Sequence, residues 1–182
     1  MKEIRIHARA GQGAITTALI LGQSAFAQGK YAYAFPHFGA ARMGAPMNAF
    51  VRVDDKPIRL RSQIYEPDYL VIVDDTLMRG FNCFSGLRDD GVAVVSQLDN
   101  MDDLSIPKTK GKQRIYLIPA NNIAMEVLGR PLGNTVLLGA FAKATGLIKL
   151  DSLIDAIGNK FSGKVKDQNV ELAKRGYDYI KV

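Results

Sequence analysis

Arg9-Ala10-Gly11-Gln12-Gly13-Ala14-Ile15-Thr16-Thr17-Ala18 is the stretch on which the fold turns. It follows Ile4-Arg5-Ile6-His7-Ala8, whose alternation predicts a strand. It opens a helical pattern with Ile15, Ala18, Leu19, Gly22, Ala25 and Phe26 on one apolar face, closed by Gly29 at the C′ position. Strand, glycine turn and helix in that order aim unsatisfied backbone N–H groups at an anion. Gly11 and Gly13 allow a tight turn and close approach of a ligand to the backbone. The glycines taken alone also admit a plainer reading, a turn that packs the helix on the sheet and binds nothing. A dinucleotide fingerprint is not met. Its third glycine would fall at Thr16, and the acidic residue expected about twenty residues later is missing, with Tyr31 and Tyr33 in that region. No Gly-Lys-Ser/Thr follows, so the stretch is not a P-loop either.

Working outward, the run from Ile4 to Val53 holds no Asp or Glu but includes Arg5, Arg9, Lys30, Arg42 and Arg52, with His7 and His37. Such a stretch sets up a positive field that favours a phosphate-bearing ligand or a carboxylate-rich neighbouring surface. On these grounds Arg9, Gly11, Gln12, Gly13 and Thr16 are the candidate cofactor-binding residues. Tyr31 to Phe35 alternates as a second strand, ended by Pro36. Phe35 to Pro46, with two prolines and two glycines, then reads as a structured loop. Its apolar and aromatic side chains exceed what a plain surface loop needs. Phe35, His37, Phe38 and Arg42 are therefore expected to meet another chain, Arg42 offering a planar fork of donors to carboxylate or phosphate.

Met47 to Val53 reads as a strand, and Asp54-Asp55-Lys56-Pro57 as a turn that returns through Ile58-Arg59-Leu60-Arg61 to make a hairpin at a sheet edge. Tyr69 to Val73 is continuously apolar and suits a central parallel strand, with Asp75-Thr76 capping a short helix after it. Gly91 to Ser96 and Arg114 to Ile118 read as further strands around an exposed polar loop at 99–112. Helices are predicted over Ala120–Leu128, Thr135–Thr145 capped by Asn134, a segment capped by Asp151 and running to Phe161, and a last one from Asp167 with Val170, Ala173, Tyr177 and Ile180 in one stripe. The order predicts one α/β domain over residues 1–182. Its architecture is three-layer α/β/α, with a mixed, mainly parallel sheet, an antiparallel hairpin at an edge and C-terminal helices.

An apolar content of 47% over 182 residues supplies one core, and the net charge of +6 suits an anionic partner or ligand. No basic run, RNA-binding signature or zinc spacing points to nucleic acid. No run reaches membrane-spanning length and no signal-peptide pattern precedes the first strand, so the expected compartment is the cytoplasm. The single Cys83 leaves no internal disulfide, cysteine cluster or zinc site. His7 reads as a structural histidine and Cys83 as a buried inert thiol. No nucleophile elbow, Glu-x-x-His or carboxylate pair is present, so neither catalytic nor metal-binding residues are assigned. That profile suits a subunit better than a free-standing enzyme.

At this point the sequence resembles a known family. Gly11-Gln12-Gly13 after Arg9, Phe35-Pro36-His37-Phe38-Gly39 through Arg42 to Gly44-Ala45-Pro46, Phe50-Val51-Arg52 and Lys56-Pro57-Ile58 are similar to the gamma subunit of 2-oxoacid:ferredoxin oxidoreductases. So are Pro119-Ala120-Asn121, Gly133-Asn134 and Leu138-Gly139-Ala140, in order along nearly the whole chain. The phenylalanine-proline form of the loop resembles the pyruvate branch. The resemblance implies a complex that oxidatively decarboxylates a 2-oxoacid with thiamine diphosphate and coenzyme A, passing electrons through iron–sulfur clusters to ferredoxin. It implies alpha, beta and delta-type partner subunits that hold the thiamine diphosphate and the clusters. The resemblance implies that the gamma part supports the assembled site and the coenzyme A step, and the isolated chain is expected to bind no cofactor. The family usually carries Pro-Glu where Ala40-Ala41 stands, so an ion pair of that glutamate beside Arg42 has no counterpart here. The other reading of the residues is a stand-alone nucleotide- or coenzyme A-binding protein.

Overall fold

Among the described residues six strands form one sheet in the order β2-β3-β1-β4-β5-β6. They are β1 (Lys2–Arg9), β2 (Tyr31–Phe38), β3 (Pro46–Asp54), β4 (Tyr69–Ile72), β5 (Val92–Ser96) and β6 (Arg114–Ile118). Among the described residues the helices are α1 (Ala14–Ala27), α2 (Ala120–Leu128), α3 (Asn134–Thr145), α4 (Leu150–Lys160) and α5 (Gly163–Tyr179), and a 3-10 helix spans Asp75–Arg79. The computed structural model describes residues 1–38 (Phe38 by its backbone alone), 42–97, 106 and 111–181. Gly39, Ala40, Ala41 and most of the polar stretch at 99–112 lie outside the described residues.

The sheet is parallel through β1, β4, β5 and β6 and antiparallel through β1, β3 and β2. Strand alternation divides its side chains between two faces. Ile4, Ile6, Ala8, Val71, Val94 and Ile118 join the core beneath the helices. Leu70, Ile72, Ala93 and Val95 face a smaller cluster with Leu77, Met78 and Cys83, where the 3-10 helix and connecting segments form the second cover. The helical layer is drawn tight by a reciprocal pair of glycines. A Cβ on Gly139 of α3 would stand 1.8 Å from the Ala173 carbonyl oxygen, and one on Gly176 of α5 would stand 1.9 Å from that of Val136. These positions need glycine for helix approach rather than for backbone freedom.

Several expectations are corrected. The edge hairpin is built from β2 and β3, with Tyr31 opposite Asp54 and Phe38 opposite Met47, not from 47–53 and 58–61, where the latter segment is not a strand. β2 therefore continues through Pro36 into what reads as loop. Pro36 is tolerated because β2 is an edge strand, where one lost amide donor need not break a ladder. The apolar face assigned to α1 is also displaced. Ala14, Ala18, Leu21 and Ala25 are buried, while Ile15, Leu19 and Phe26 point outward. The 3-10 helix is capped by Asp74, which accepts the Thr76 N–H, rather than by Asp75. Asn134 lies inside α3 instead of capping it. Lys149, not Asp151, holds the N-cap of α4, and α5 begins at Gly163, before Asp167.

Candidate functional site

Strand β1 feeds α1 on one face of the sheet, while the adjacent parallel strand β4 feeds the 3-10 helix on the other. Connections that part in this way leave a crevice at the carboxyl ends of the two strands, where α/β sheets place ligands. Arg9 and the glycine turn stand on one lip and Asp74 and Thr76 on the other. Arg9 Nε lies 3.3 Å from Asp74 Oδ2, its Nη2 donates to Thr76 Oγ1 at 3.0 Å, and its Nη1 donates to the Gly44 carbonyl at 3.3 Å. Gln12 Nε2 donates to the same Asp74 oxygen at 2.6 Å, and Gln12 Oε1 accepts the Arg9 N–H at 2.8 Å. Thr76 further donates its hydroxyl to Asp74 Oδ1. The acid-free sequence around the turn is thus not an acid-free surface. Asp74 arrives from the neighbouring strand and takes up Arg9 and Gln12, which the positive-field argument left for a ligand.

Both glycines of the turn have left-handed backbones, φ 99° at Gly11 and 82° at Gly13, a region other residues rarely adopt. Their near neighbours belong to the chain itself. A Cβ on Gly11 would stand 2.8 Å from Met43 Sδ, and one on Gly13 would stand 2.9 Å from Asn134 Nδ2. Gly13 is the N-cap of α1 and offers no capping side chain, and no acid lies in the first turn. The first-turn amides accordingly lack intrahelical acceptors and keep the positive end of the helix dipole. Beside this helix end lies a pocket of about 160 Å³ that Gly11, Gln12, Gly13 and Thr16 line together with Arg130 and Asn134. No Asp or Glu is among its described lining residues.

Arg9, Gly11, Gln12, Gly13 and Thr16 are therefore brought together. Phe35 and His37 are not part of that group. Phe35 stacks between Tyr33 and Phe50 at centroid distances of 5.0 and 5.1 Å, with the Arg52 guanidinium 5.8 Å from its ring. His37 meets Gln63 Nε2 at 3.1 Å on the face away from the helices. Arg42 is exposed, and its carbonyl accepts the Ala45 N–H in the turn that Gly44 joins to Ala10. The Phe38 side chain lies outside the described residues.

The sequence reading missed Asp74 as the partner of Arg9, and Arg130. Asp74 was legible as the first polar residue after a buried strand, a position that faces the crevice. Arg130 carried no signal, since it follows the Gly129 helix end by chain order and meets the pocket through tertiary packing alone. His7 is held by burial, and then by the neighbouring Arg5 charge, at a pKa of about 4. Burial also pushes the Cys83 thiol up to about 11, which leaves it un-ionised and unreactive at neutral pH. No cluster of His, Cys, Asp and Glu able to hold a metal occurs among the described residues, and no described helix is long and apolar enough to cross a membrane.

Residues 3–179 match the family model described as pyruvate ferredoxin/flavodoxin oxidoreductase. A pyruvate synthase subunit PorC of Methanothermobacter thermautotrophicus is 48% identical over 180 residues, 99% of this chain and 96% of the relative. The common subunit gamma of pyruvate/ketoisovalerate oxidoreductases from Pyrococcus furiosus is 43% identical, covering 100% of this chain and 98% of its own. The crystal structure of the pyruvate oxidoreductase subunit PORC of Thermotoga maritima superimposes with a TM-score of 0.84 at 34% identity, covering 99% of this chain and 97% of that one.

Proposed function

Because the chain belongs to the pyruvate ferredoxin/flavodoxin oxidoreductase family, we propose that it is the gamma subunit of a 2-oxoacid:ferredoxin oxidoreductase acting on pyruvate or a close relative. The observation that carries this reading is the 48% identity, along 99% of the chain, to a pyruvate synthase subunit. The names of the relatives as subunits favour it over a stand-alone nucleotide-binding protein. In the complex, alpha, beta and delta-type chains hold thiamine diphosphate and the iron–sulfur clusters. The assembly converts a 2-oxoacid and coenzyme A to acyl-coenzyme A and carbon dioxide, with electrons delivered to ferredoxin in the cytoplasm.

This chain's own residues supply a binding surface rather than a proton or electron relay. The α1 N-terminus at Gly13, Thr16 and Arg130 border one small pocket, and a helix N-terminus, a hydroxyl and a guanidinium together favour an anionic group such as a phosphate of coenzyme A or of thiamine diphosphate held by a sister chain. Arg9 and Gln12 act one step behind, fixing the turn through Asp74. The edge strand with Phe35, His37 and Phe38, and the exposed turn with Arg42, face a sister subunit. Affinity-tagged chain expressed with its sister chains should co-purify with large polypeptides whose visible absorption marks iron–sulfur clusters. Recovery of the tagged chain alone from cells that hold the others in excess contradicts the proposal.

A further inference from the structure

We propose that a second cavity, on the loop-covered face of the sheet, binds a small monocarboxylate with an apolar body. The cavity measures about 380 Å³, a volume that suits a small-molecule site. Phe50, Ile64, Leu77 and Phe81 supply apolar wall, and Arg5, His7 and Asn48 supply the polar end. None of its described lining residues is Asp or Glu.

The charge of Arg5 decides the ligand class. Arg5 is 8% exposed, and its five N–H donors have five acceptors. Nε donates to His7 Nε2 at 3.0 Å, Nη1 to the carbonyls of Ile64 and Tyr65 at 3.4 and 3.3 Å, and Nη2 to the carbonyls of Cys83 and Ser85. Every acceptor is neutral. The other buried arginine on this face, Arg52, has Glu3 Oε1 at 2.7 Å. Arg5 has no such carboxylate among the described residues, so its hydrogen bonds are complete while its charge is not balanced. A buried charge without a counter-ion attracts an anion far more strongly than one in water does.

The neighbours of Arg5 tell where that anion would bind. Accepting from Arg5 at Nε2 places the proton of neutral His7 on Nδ1. The His7 ring also meets the Asn48 side chain and the Cys83 backbone, both of which favour its protonated form. With its oxygen turned to His7, Asn48 keeps its NH2 group for a ligand. With both ring nitrogens of His7 already engaged, the Asn48 amide is the donor left at this end, which suits a monoanionic carboxylate, whereas a phosphate dianion needs more donors than it provides. The apolar walls then take the body of the molecule.

The test uses the full chain with benzoate as probe and benzamide as its neutral counterpart, followed by calorimetry and by the His7 imidazole resonances at neutral pH. Benzoate is expected to bind with a millimolar or tighter Kd, to shift the His7 resonances and to raise the His7 pKa. Benzamide should bind at least about tenfold more weakly. Asn48→Asp, nearly the same shape, puts a negative charge at the polar end and should weaken benzoate about tenfold or more while leaving benzamide unchanged. No benzoate binding to the wild-type chain, equal binding of benzamide, or unchanged His7 resonances overturns the proposal. Should Asn48→Asp not fold, the wild-type comparison of the two probes decides the matter alone.

Discussion

Arg9 Nε lies 3.3 Å from Asp74 Oδ2, across the crevice where β1 and β4 part. The same carboxylate oxygen accepts from Gln12 at 2.6 Å, so one acid just beyond β4, the cap of the 3-10 helix, fixes both polar residues of the glycine turn. The pair is partly buried, which makes it stronger than a surface ion pair but leaves it partly screened. Asp74→Asn should lower stability by about 1–2 kcal/mol, since it weakens three hydrogen bonds without emptying any core. Urea denaturation of the full chain measures it. A wild-type midpoint would show that the bridge adds nothing to the fold.

The pocket at the α1 N-terminus makes a separate prediction. Gly13 is a poor probe of it, because φ 82° and the closeness of Asn134 make any larger residue a report on strain. Thr16→Val and Arg130→Gln keep the backbone intact. In the assembled complex each should raise the apparent constant for coenzyme A or thiamine diphosphate, Arg130→Gln by about tenfold as a lost charge-assisted bond and Thr16→Val by less. Wild-type constants in both assembled variants would leave the turn as architecture.

Much of this was legible in the chain, for reasons tied to particular residues. Tyr69–Ile72 and Val92–Ser96 were readable as central strands because strands buried on both faces must be apolar throughout. The glycine turn was readable because Gly11 and Gly13 have backbones that other residues avoid. Pro36 misled, since proline marks a strand end unless the strand lies at an edge, and edge position is a property of the whole sheet. Ile15, Leu19 and Phe26 misled because apolar spacing does not say whether the core or a partner lies against it. The Asp74 bridge and the Arg130 position depend on which strands and helices become neighbours, which local pattern does not encode.

His7 predicts a pH dependence of folding. Its folded pKa of about 4 lies below the ordinary value of 6.5, so the unfolded chain binds the proton more readily. Its contribution to stability is therefore intact above about pH 6.5 and is lost as pH falls from there toward about 4, by up to about 3 kcal/mol. His7→Gln should flatten this part of the stability profile in denaturant titrations at successive pH values. An equal slope in wild type and variant would assign the acid sensitivity to other groups.

The edge of the sheet bears on assembly. Replacing Phe38 and Arg42 together by Ala should leave the isolated chain folded, because Arg42 is exposed and makes no described ion pair. Capture of sister subunits should fall by about tenfold or more, the usual scale for aromatic and arginine anchors at an interface. Undiminished co-purification of the double variant would move the interface elsewhere.

The most direct measurement is reconstitution of activity. Sister alpha, beta and delta-type chains, loaded with their cofactors, are assayed for pyruvate- and coenzyme A-dependent reduction of ferredoxin with and without this chain. The account predicts that turnover appears when the chain is added in stoichiometric amount and is absent when it is left out. Full turnover without it, or no turnover with pyruvate or a related 2-oxoacid once it has assembled, would contradict the assignment of this chain as the gamma subunit.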